Sequence, residues 1–295
     1  MHLGNVLSAL LSYLSAKRDG GSWLLRIEDL DPQRCREEYA RTLENDLQRL
    51  GLDWDEGGLD AGGGLFRQSH RSSIYEEALA QLSAHTYPCF CSRADLLAAN
   101  APHESDGRVV YPGTCRRLPP EKRPQGKVHS TRLVVPDKEI RFTDKHYGPQ
   151  SFNLACDCGD FILKRSDGVF AYQLAVVVDD ALMGVTQVVR GRDLLLSTAQ
   201  QLYLYDLLGF KAPDFYHTPL LCAADGRRLC KRDASLDLGE MLKTHSPQEI
   251  IGIAAHLAGI IPNAEPCTPV ELISVFDPNA LPIMDIGIGD GELLR

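Results

Sequence analysis

An α/β fold, a mostly parallel sheet with helices packed on it, is what the sequence predicts. Three observations carry that expectation: strand-like stretches alternate with helix-like ones, the chain is 295 residues long, and 44% of it is apolar against 24% charged. That length holds one large domain, or one domain with a small appendage. The composition is ordinary for a globular chain. No run of eighteen apolar residues occurs, and the N-terminus has no basic-then-apolar signal pattern, so a cytoplasmic protein with no membrane contact is expected. Thirty-one basic against forty acidic residues give a net charge of −9. This argues against a charge-driven coat for nucleic acids in general, but leaves room for a local basic face that takes one RNA. Nine cysteines in a cytoplasmic chain read as free thiols or metal ligands rather than a disulfide framework.

The elements follow in order. Val6, Leu7, Leu10, Leu11 and Leu14 give helical spacing over Val6 to Lys17, and Gly20-Gly21 suits its stop. Ser22 to Ile27 reads as a strand that ends in the acids Glu28-Asp29, and Glu37 to Leu50 and Ser72 to His85 read as amphipathic helices. From Ala99 to Lys127 the texture turns to Pro, Gly, Arg and Lys without periodicity, which marks an insertion. Short β-rich pieces follow around Thr131 to Val135 and Asp160 to Lys164. Helical spacing resumes over Tyr172 to Leu182. A strand at Val185 to Val189 then leads through Arg190-Gly191 into a helix from Leu194 to Leu208, and Tyr216 to Leu221 is one more strand. Beyond Ser235 come small helices around Glu249 to Leu257 and Pro269 to Phe276, and the Gly-rich stretch Ile286 to Glu292 is expected to fray.

Two segments have the chemistry of phosphate binding. His2-Leu3-Gly4-Asn5 directly precedes the first helix, whose end offers unpaired N–H groups and positive dipole. Glycine there permits close approach, and an imidazole can donate to a phosphate oxygen. The plain alternative is an N-terminal scrap that happens to hold a glycine. Gly226-Arg227-Arg228-Leu229-Cys230-Lys231-Arg232 clusters cations after a glycine, fit to clamp a triphosphate and steady the leaving pyrophosphate. Alone, such a run is a solvated basic turn.

In this order, the two segments resemble the HIGH and KMSKS signatures of class I aminoacyl-tRNA synthetases, with Lys231 at the second lysine. The resemblance implies a Rossmann-like catalytic domain in which His2, Gly4 and Lys231 serve catalysis and, with Asn5, bind ATP and its Mg2+. Three further segments resemble the glutamyl branch: Arg26-Ile27-Glu28-Asp29-Leu30-Asp31-Pro32, then Phe170 to Asp180, then Gly184 to Leu194. The alternative for the second is a buried core helix, which Leu174 to Val178 alone would suggest. Physical chemistry agrees with the resemblance. Glu28 offers a carboxylate to a substrate ammonium, Tyr172 a lid with a hydroxyl, and Arg190 a planar fork for a substrate carboxylate. L-Glutamate presents that set of charges. The alternative for Arg190 is an ion pair with Asp193 or Asp29.

Cys89-Phe90-Cys91, followed by Tyr111-Pro112-Gly113-Thr114-Cys115, offers three soft ligands, and a structural zinc site needs four. By spacing, the fourth would be His103 or His129, and three ordinary buried thiols remain the alternative. The pattern C-x-C, insertion, Y-x-x-x-C resembles the queuosine-modifying branch of the glutamyl synthetases, which implies Tyr111 as the fourth zinc ligand. Cys156-Asp157-Cys158 has no partner at suitable spacing and reads as non-ligand.

The same resemblance divides the chain into 1–88, the first half of the catalytic domain; 89–130, a zinc-binding insertion; 131–234, an acceptor-type insertion with the second half and its KMSKS-like loop; and 235–295, a short helical region. The stretch after that loop is too short for the helical domain that reads the anticodon in full glutamyl-tRNA synthetases. The implied reaction is activation of glutamate by ATP and transfer to queuosine in the anticodon of tRNA(Asp); a monomer is the default expectation, which the sequence leaves open. The alternatives are a truncated glutamyl-tRNA synthetase that charges the tRNA 3′ end and a non-catalytic, zinc-stabilised relative. One departure is large. Relatives carry an R-F-A-P-S-P-type strand before HIGH, whereas here Met1 abuts His2, too little for a strand. The expectation is a sheet without its first strand, for which two explanations compete: a start internal to a longer reading frame, which is favoured, or a truncated relative with an incomplete glutamate pocket and an open slot in its sheet. Cys230 and Arg228 are milder departures from the KMSKS pattern.

Overall fold

The computed structural model describes residues 1–92, 94–95, 110–223 and 236–288. Six helices of more than two turns carry it: α1 (Leu3–Arg18), α2 (Glu37–Arg49), α3 (Ser72–Gln81), α4 (Tyr172–Leu182), α5 (Leu195–Leu208) and α6 (Pro247–Leu257). The strands are β1 (Leu24–Leu25), β2 (Glu56–Gly57), β3 (Thr86–Cys89), β4 (Ser130–Leu133), β5 (Glu139–Asp144), β6 (Gly148–Asn153), β7 (Ile162–Lys164), β8 (Gln187–Gly191), β9 (Asp214–Thr218), β10 (Leu221–Ala223) and β11 (Ile286–Ile288). Parallel pairing joins β1 to β2, β8 to β9 and β10 to β11. Antiparallel pairing builds the sheet β3-β4-β7 and the hairpin β5-β6. Among the described residues no helix is long and apolar enough to cross a membrane.

The apolar stripe of α1 is fully buried, at Val6, Leu7, Leu10, Leu11 and Leu14, in a core shared with Ile250, Ile251 and Ala254 of α6. Lys17 and Arg18 lie in the last turn of α1, where cations suit the helix dipole. Gly20 then turns the chain at φ +67°, a value costly for any residue with a Cβ. A second core gathers Tyr75 of α3, Leu174, Ala175, Val177 and Val178 of α4 and Leu204 of α5. Strand β8 serves both cores, because successive side chains point to opposite faces: Val189 packs on the first and Val188 on the second. The unit β8-α5-β9 is a βαβ crossover.

Strands β1 and β8 each pair on one side only among the described residues, and their other edges face a cavity of about 850 Å3. Ser8, Ala9, Ser12 and Ala16 of α1 form its floor, with Leu24, Leu25 and residues 186–191 at its sides.

Several boundaries differ from the sequence reading. The strand expected over Ser22 to Ile27 contracts to Leu24–Leu25, since its one partner is equally short, and Ile27 adds a single bridge to Arg67. The strand expected at Tyr216 to Leu221 divides in two, because Pro219 has no N–H to continue the ladder. Ile286 to Ile288 forms a strand instead of fraying, held in register with Leu221 to Ala223. The hairpin β5-β6 has no counterpart in the sequence reading.

Candidate active site

Helix α1 starts at His2, which occupies the N-cap in extended conformation, and its N–H donates to Asn5 Oδ1 at 3.2 Å. His2 Nδ1 is buried without a partner, a donor or acceptor left over at a helix N-terminus. Gly4 packs near Leu221; a Cβ there would stand 3.9 Å from that side chain, in ordinary contact. Lys231, with the rest of the 226–232 loop, lies outside the described residues, as does His103.

Glu28 and Arg190 line the same cavity, from the end of β1 and from β8, together with Arg26 and Asp180. Arg26 Nη1 donates to Asp180 Oδ1 at 2.7 Å, and its Nη2 reaches Glu28 Oε1 at 3.4 Å. The cavity walls desolvate the Glu28 carboxyl and push its pKa up. Arg26 opposes that push, while Asp180 and Asp179 reinforce it. Asp180 is raised in the same way by burial, against the pull of Arg26 and Arg190. Tyr172, at the start of α4, is partly exposed and near enough to feel Glu28 and Arg190; burial raises its hydroxyl and Arg190 draws it down. The structure therefore brings Glu28, Tyr172 and Arg190 to one place.

Arg190 makes neither ion pair nor contact with Asp29, which binds Arg67 and Ser69. Its Nε donates to His217 Nε2 at 3.2 Å, and its Nη2 donates to Thr198 Oγ1 at 2.7 Å and Gln201 Oε1 at 2.8 Å. Behind it, His217 Nδ1 meets Asp144 Oδ2 at 2.6 Å, both side chains being fully buried. Below Arg26 lies the fully buried Asp179, which accepts from Arg71 Nε at 2.6 Å, Tyr75 Oη at 2.8 Å and Gln68 Nε2 at 2.9 Å. Sequence reasoning missed His217, Asp144, Thr198, Gln201, Arg71 and Gln68. Their partners lie on other elements, and no local motif marks them.

A separate cluster lies at the end of β3. The sulfurs of Cys89, Cys91 and Cys115 lie within 4.8 Å of one another. Cys91 and Cys115 are 3.5 Å apart, and Tyr111 Oη is 3.4 Å from Cys89 Sγ and 3.9 Å from Cys91 Sγ. Ligands on a tetrahedron with 2.3 Å arms stand about 3.8 Å apart, so the group has the size of a zinc site. Burial raises the Cys91 thiol to about 12. At Cys115 the Phe90 N–H and Tyr111 outweigh burial and lower it. The Tyr111 backbone lies so close to Gly159 that a Cβ there would stand 2.4 Å from its carbonyl oxygen, which requires glycine. Arg132 stacks 3.9 Å over the Tyr111 ring. His129 instead meets the Phe90 ring at a tilt of 58°, with centroids 5.4 Å apart, and is not among the three clustered ligands. Cys156 is exposed and Cys158 donates to Leu154 O, so the second C-x-C forms no cluster.

Residues 1–281 match the family described as tRNA synthetases class I (E and Q), catalytic domain. The chain belongs to that family. It is a ligase-type enzyme of the aminoacyl-tRNA synthetase class. It is 51% identical, over 96% of its length and 90% of the relative's, to a glutamyl-Q tRNA(Asp) synthetase of Symbiobacterium thermophilum. A protein of the same name from Nitratidesulfovibrio vulgaris is 47% identical, with the same coverage. Among solved structures it superposes on a glutamate-tRNA synthetase from Elizabethkingia anophelis with TM-score 0.82 at 28% identity, covering 99% of this chain and 66% of that one. The chain thus spans about two thirds of that solved synthetase.

Proposed function

We propose that this chain uses ATP to activate L-glutamate and transfers the glutamyl group to queuosine in the anticodon of tRNA(Asp). The observation that carries the reading is the cavity over α1 that joins Glu28 and Arg190, with Tyr172 beside it. A carboxylate, a hydroxyl and a guanidinium match the ammonium and carboxylates of glutamate. In the first step an α-carboxylate oxygen of glutamate attacks the α-phosphorus of ATP, and the bond to pyrophosphate breaks. In the second, a hydroxyl of queuosine attacks the activated carbonyl and AMP leaves. Both steps depend on positioning and charge stabilisation, so no protein nucleophile is needed. His2, Gly4, Asn5 and Lys231 would hold the phosphates, which carry Mg2+.

Cys89, Cys91, Cys115 and Tyr111 would hold a structural Zn2+, which fastens the 89–130 insertion to the rest of the fold. The enzyme would act in the cytoplasm as a monomer. The names of the relatives and the geometry of the cavity support this reading together. Glutamate-dependent exchange between pyrophosphate and ATP tests the activation step. Exchange with L-glutamate, and none with L-glutamine or L-aspartate, is expected. Background exchange with all three amino acids contradicts the reading.

A further inference from the structure

Asp144 and His217 form a fully buried pair that the activation chemistry does not use. Asp144 comes from the end of β5 and His217 from β9. Four donors fill the carboxylate. Oδ1 accepts the N–H groups of His146 at 3.0 Å and Tyr147 at 2.8 Å, and Oδ2 accepts the N–H of His217 at 3.1 Å and its Nδ1–H at 2.6 Å. A carboxylate so placed only accepts, so the imidazole proton is fixed on Nδ1. Nε2 is then left with its lone pair for the Nε–H of Arg190 at 3.2 Å and the Thr198 hydroxyl at 3.1 Å, and Thr198 in turn accepts from Arg190. Thr198 and Gln201 take both the Nη2 hydrogens, and Gln201 is itself fixed by donating to Gln173 Oε1 at 2.8 Å.

We propose that Asp144 and His217 are positioning residues for Arg190: the carboxylate sets the imidazole tautomer, and the imidazole holds the guanidinium so that its Nη1 edge meets the substrate side-chain carboxylate. The reasoning rests on the reading that Arg190 binds glutamate. The α-carboxylate must be free to attack phosphorus, so a cation fixed on three sides suits the carboxylate that does not react. Fixing the fork also supports specificity. With Nε and Nη2 engaged, the guanidinium cannot turn aside to accommodate an amide, whose NH2 group would face a donor. A flipped tautomer would place a second N–H against Arg190 and loosen it.

The test is glutamate and glutamine affinity by titration calorimetry, with ATP affinity and melting temperature alongside. His217→Ala and Asp144→Asn are expected to weaken glutamate binding about 10- to 100-fold, the range for losing a hydrogen bond to a charged group. They should narrow the preference over glutamine and leave ATP affinity unchanged. His217→Gln places an amide oxygen near the Nε2 position and is expected to restore most of the affinity and the preference. A purely structural pair would instead lower melting temperature, ATP affinity and glutamate affinity together, with no rescue by glutamine; that result overturns the proposal. If His217→Ala does not fold, Asp144→Asn against His217→Gln decides: weak binding with the first and retained binding with the second supports it, and equal effects overturn it. Arg190→Ala separates the two claims. Unchanged glutamate affinity there overturns the reading of Arg190 itself, whereas loss there with none in Asp144→Asn or His217→Ala overturns only the positioning role.

Discussion

Replacing Asp179 by Asn isolates the buried carboxylate on which the floor of the site rests. Asp179 accepts from Arg71, Tyr75 and Gln68 at 2.6–2.9 Å, and Arg26 Nε stands 3.8 Å away. Asn keeps the shape and one acceptor oxygen but removes the charge, and turns an NH2 group toward donors. Arg71 is then buried beside a neutral group, and breaking a buried pair in this way costs about 3–5 kcal/mol. We take the lower end, about 3 kcal/mol, because one acceptor survives. Unfolding entropy of about 2.1 cal/mol/K per residue gives roughly 0.6 kcal/mol/K for a chain of 295 residues, hence a fall in Tm of about 5 °C. Scanning calorimetry reads this directly. Tyr75→Phe removes one hydrogen bond, about 1 kcal/mol, and should lower Tm by about 2 °C. Asp179→Asn should also weaken glutamate binding, because Arg26 spans Asp179, Asp180 and Glu28. Melting of Asp179→Asn at the wild-type temperature would refute the reasoning.

Three other outcomes follow from the site. The surrounding walls hold the Glu28 pKa above that of an ordinary carboxyl, yet its side chain stays 41% exposed, so solvent screens its charge and the small penalty to folding fades as pH falls through the raised pKa. Glu28→Gln should therefore melt no lower than wild type at pH 7 yet lose glutamate binding, as calorimetry with and without ligand will show; a large fall in Tm contradicts it. For the same reason, wild-type affinity for glutamate should drop, as pH is lowered, at a higher pH than an ordinary carboxylate would give. At the sulfur cluster, the purified protein should release one zinc per chain to a thiol-directed mercurial, read with a metal-sensitive dye. Cys115→Ser should lower that content and Cys156→Ser should not, since Cys156 is exposed and outside the cluster.

What was legible in the sequence was local or periodic. The stripe Val6-Leu7-Leu10-Leu11-Leu14 gives α1 because one face of a helix is buried, and Leu174 to Val178 gives the core of α4. Glu28, Tyr172 and Arg190 could be named because their segments resemble the glutamyl branch of the class I synthetases and their side-chain chemistry suits glutamate. The hairpin β5-β6 was also there to be read. Ile140 and Phe142 alternate with Glu139, Arg141 and Thr143, a period of two, before the turn at Lys145-His146-Tyr147. By contrast, Asp144 finds His217 73 residues away, and Asp179 finds Tyr75 104 residues away. Such contacts are made by packing, and no spacing encodes them. The two-residue β1 likewise reflects its neighbours rather than its own propensity: Trp23 to Ile27 is apolar enough for a longer strand, but its partner β2 offers only Glu56 and Gly57.

Transfer of glutamate to tRNA tests the central claim most directly. The protein would be incubated with labelled L-glutamate, ATP and tRNA(Asp) that contains queuosine, and the product treated to remove its 3′-terminal adenosine. Label that stays on the tRNA after that removal, and that is absent when the tRNA lacks queuosine, is the predicted result. Label carried by tRNA(Glu) and lost with its terminal adenosine would contradict the account.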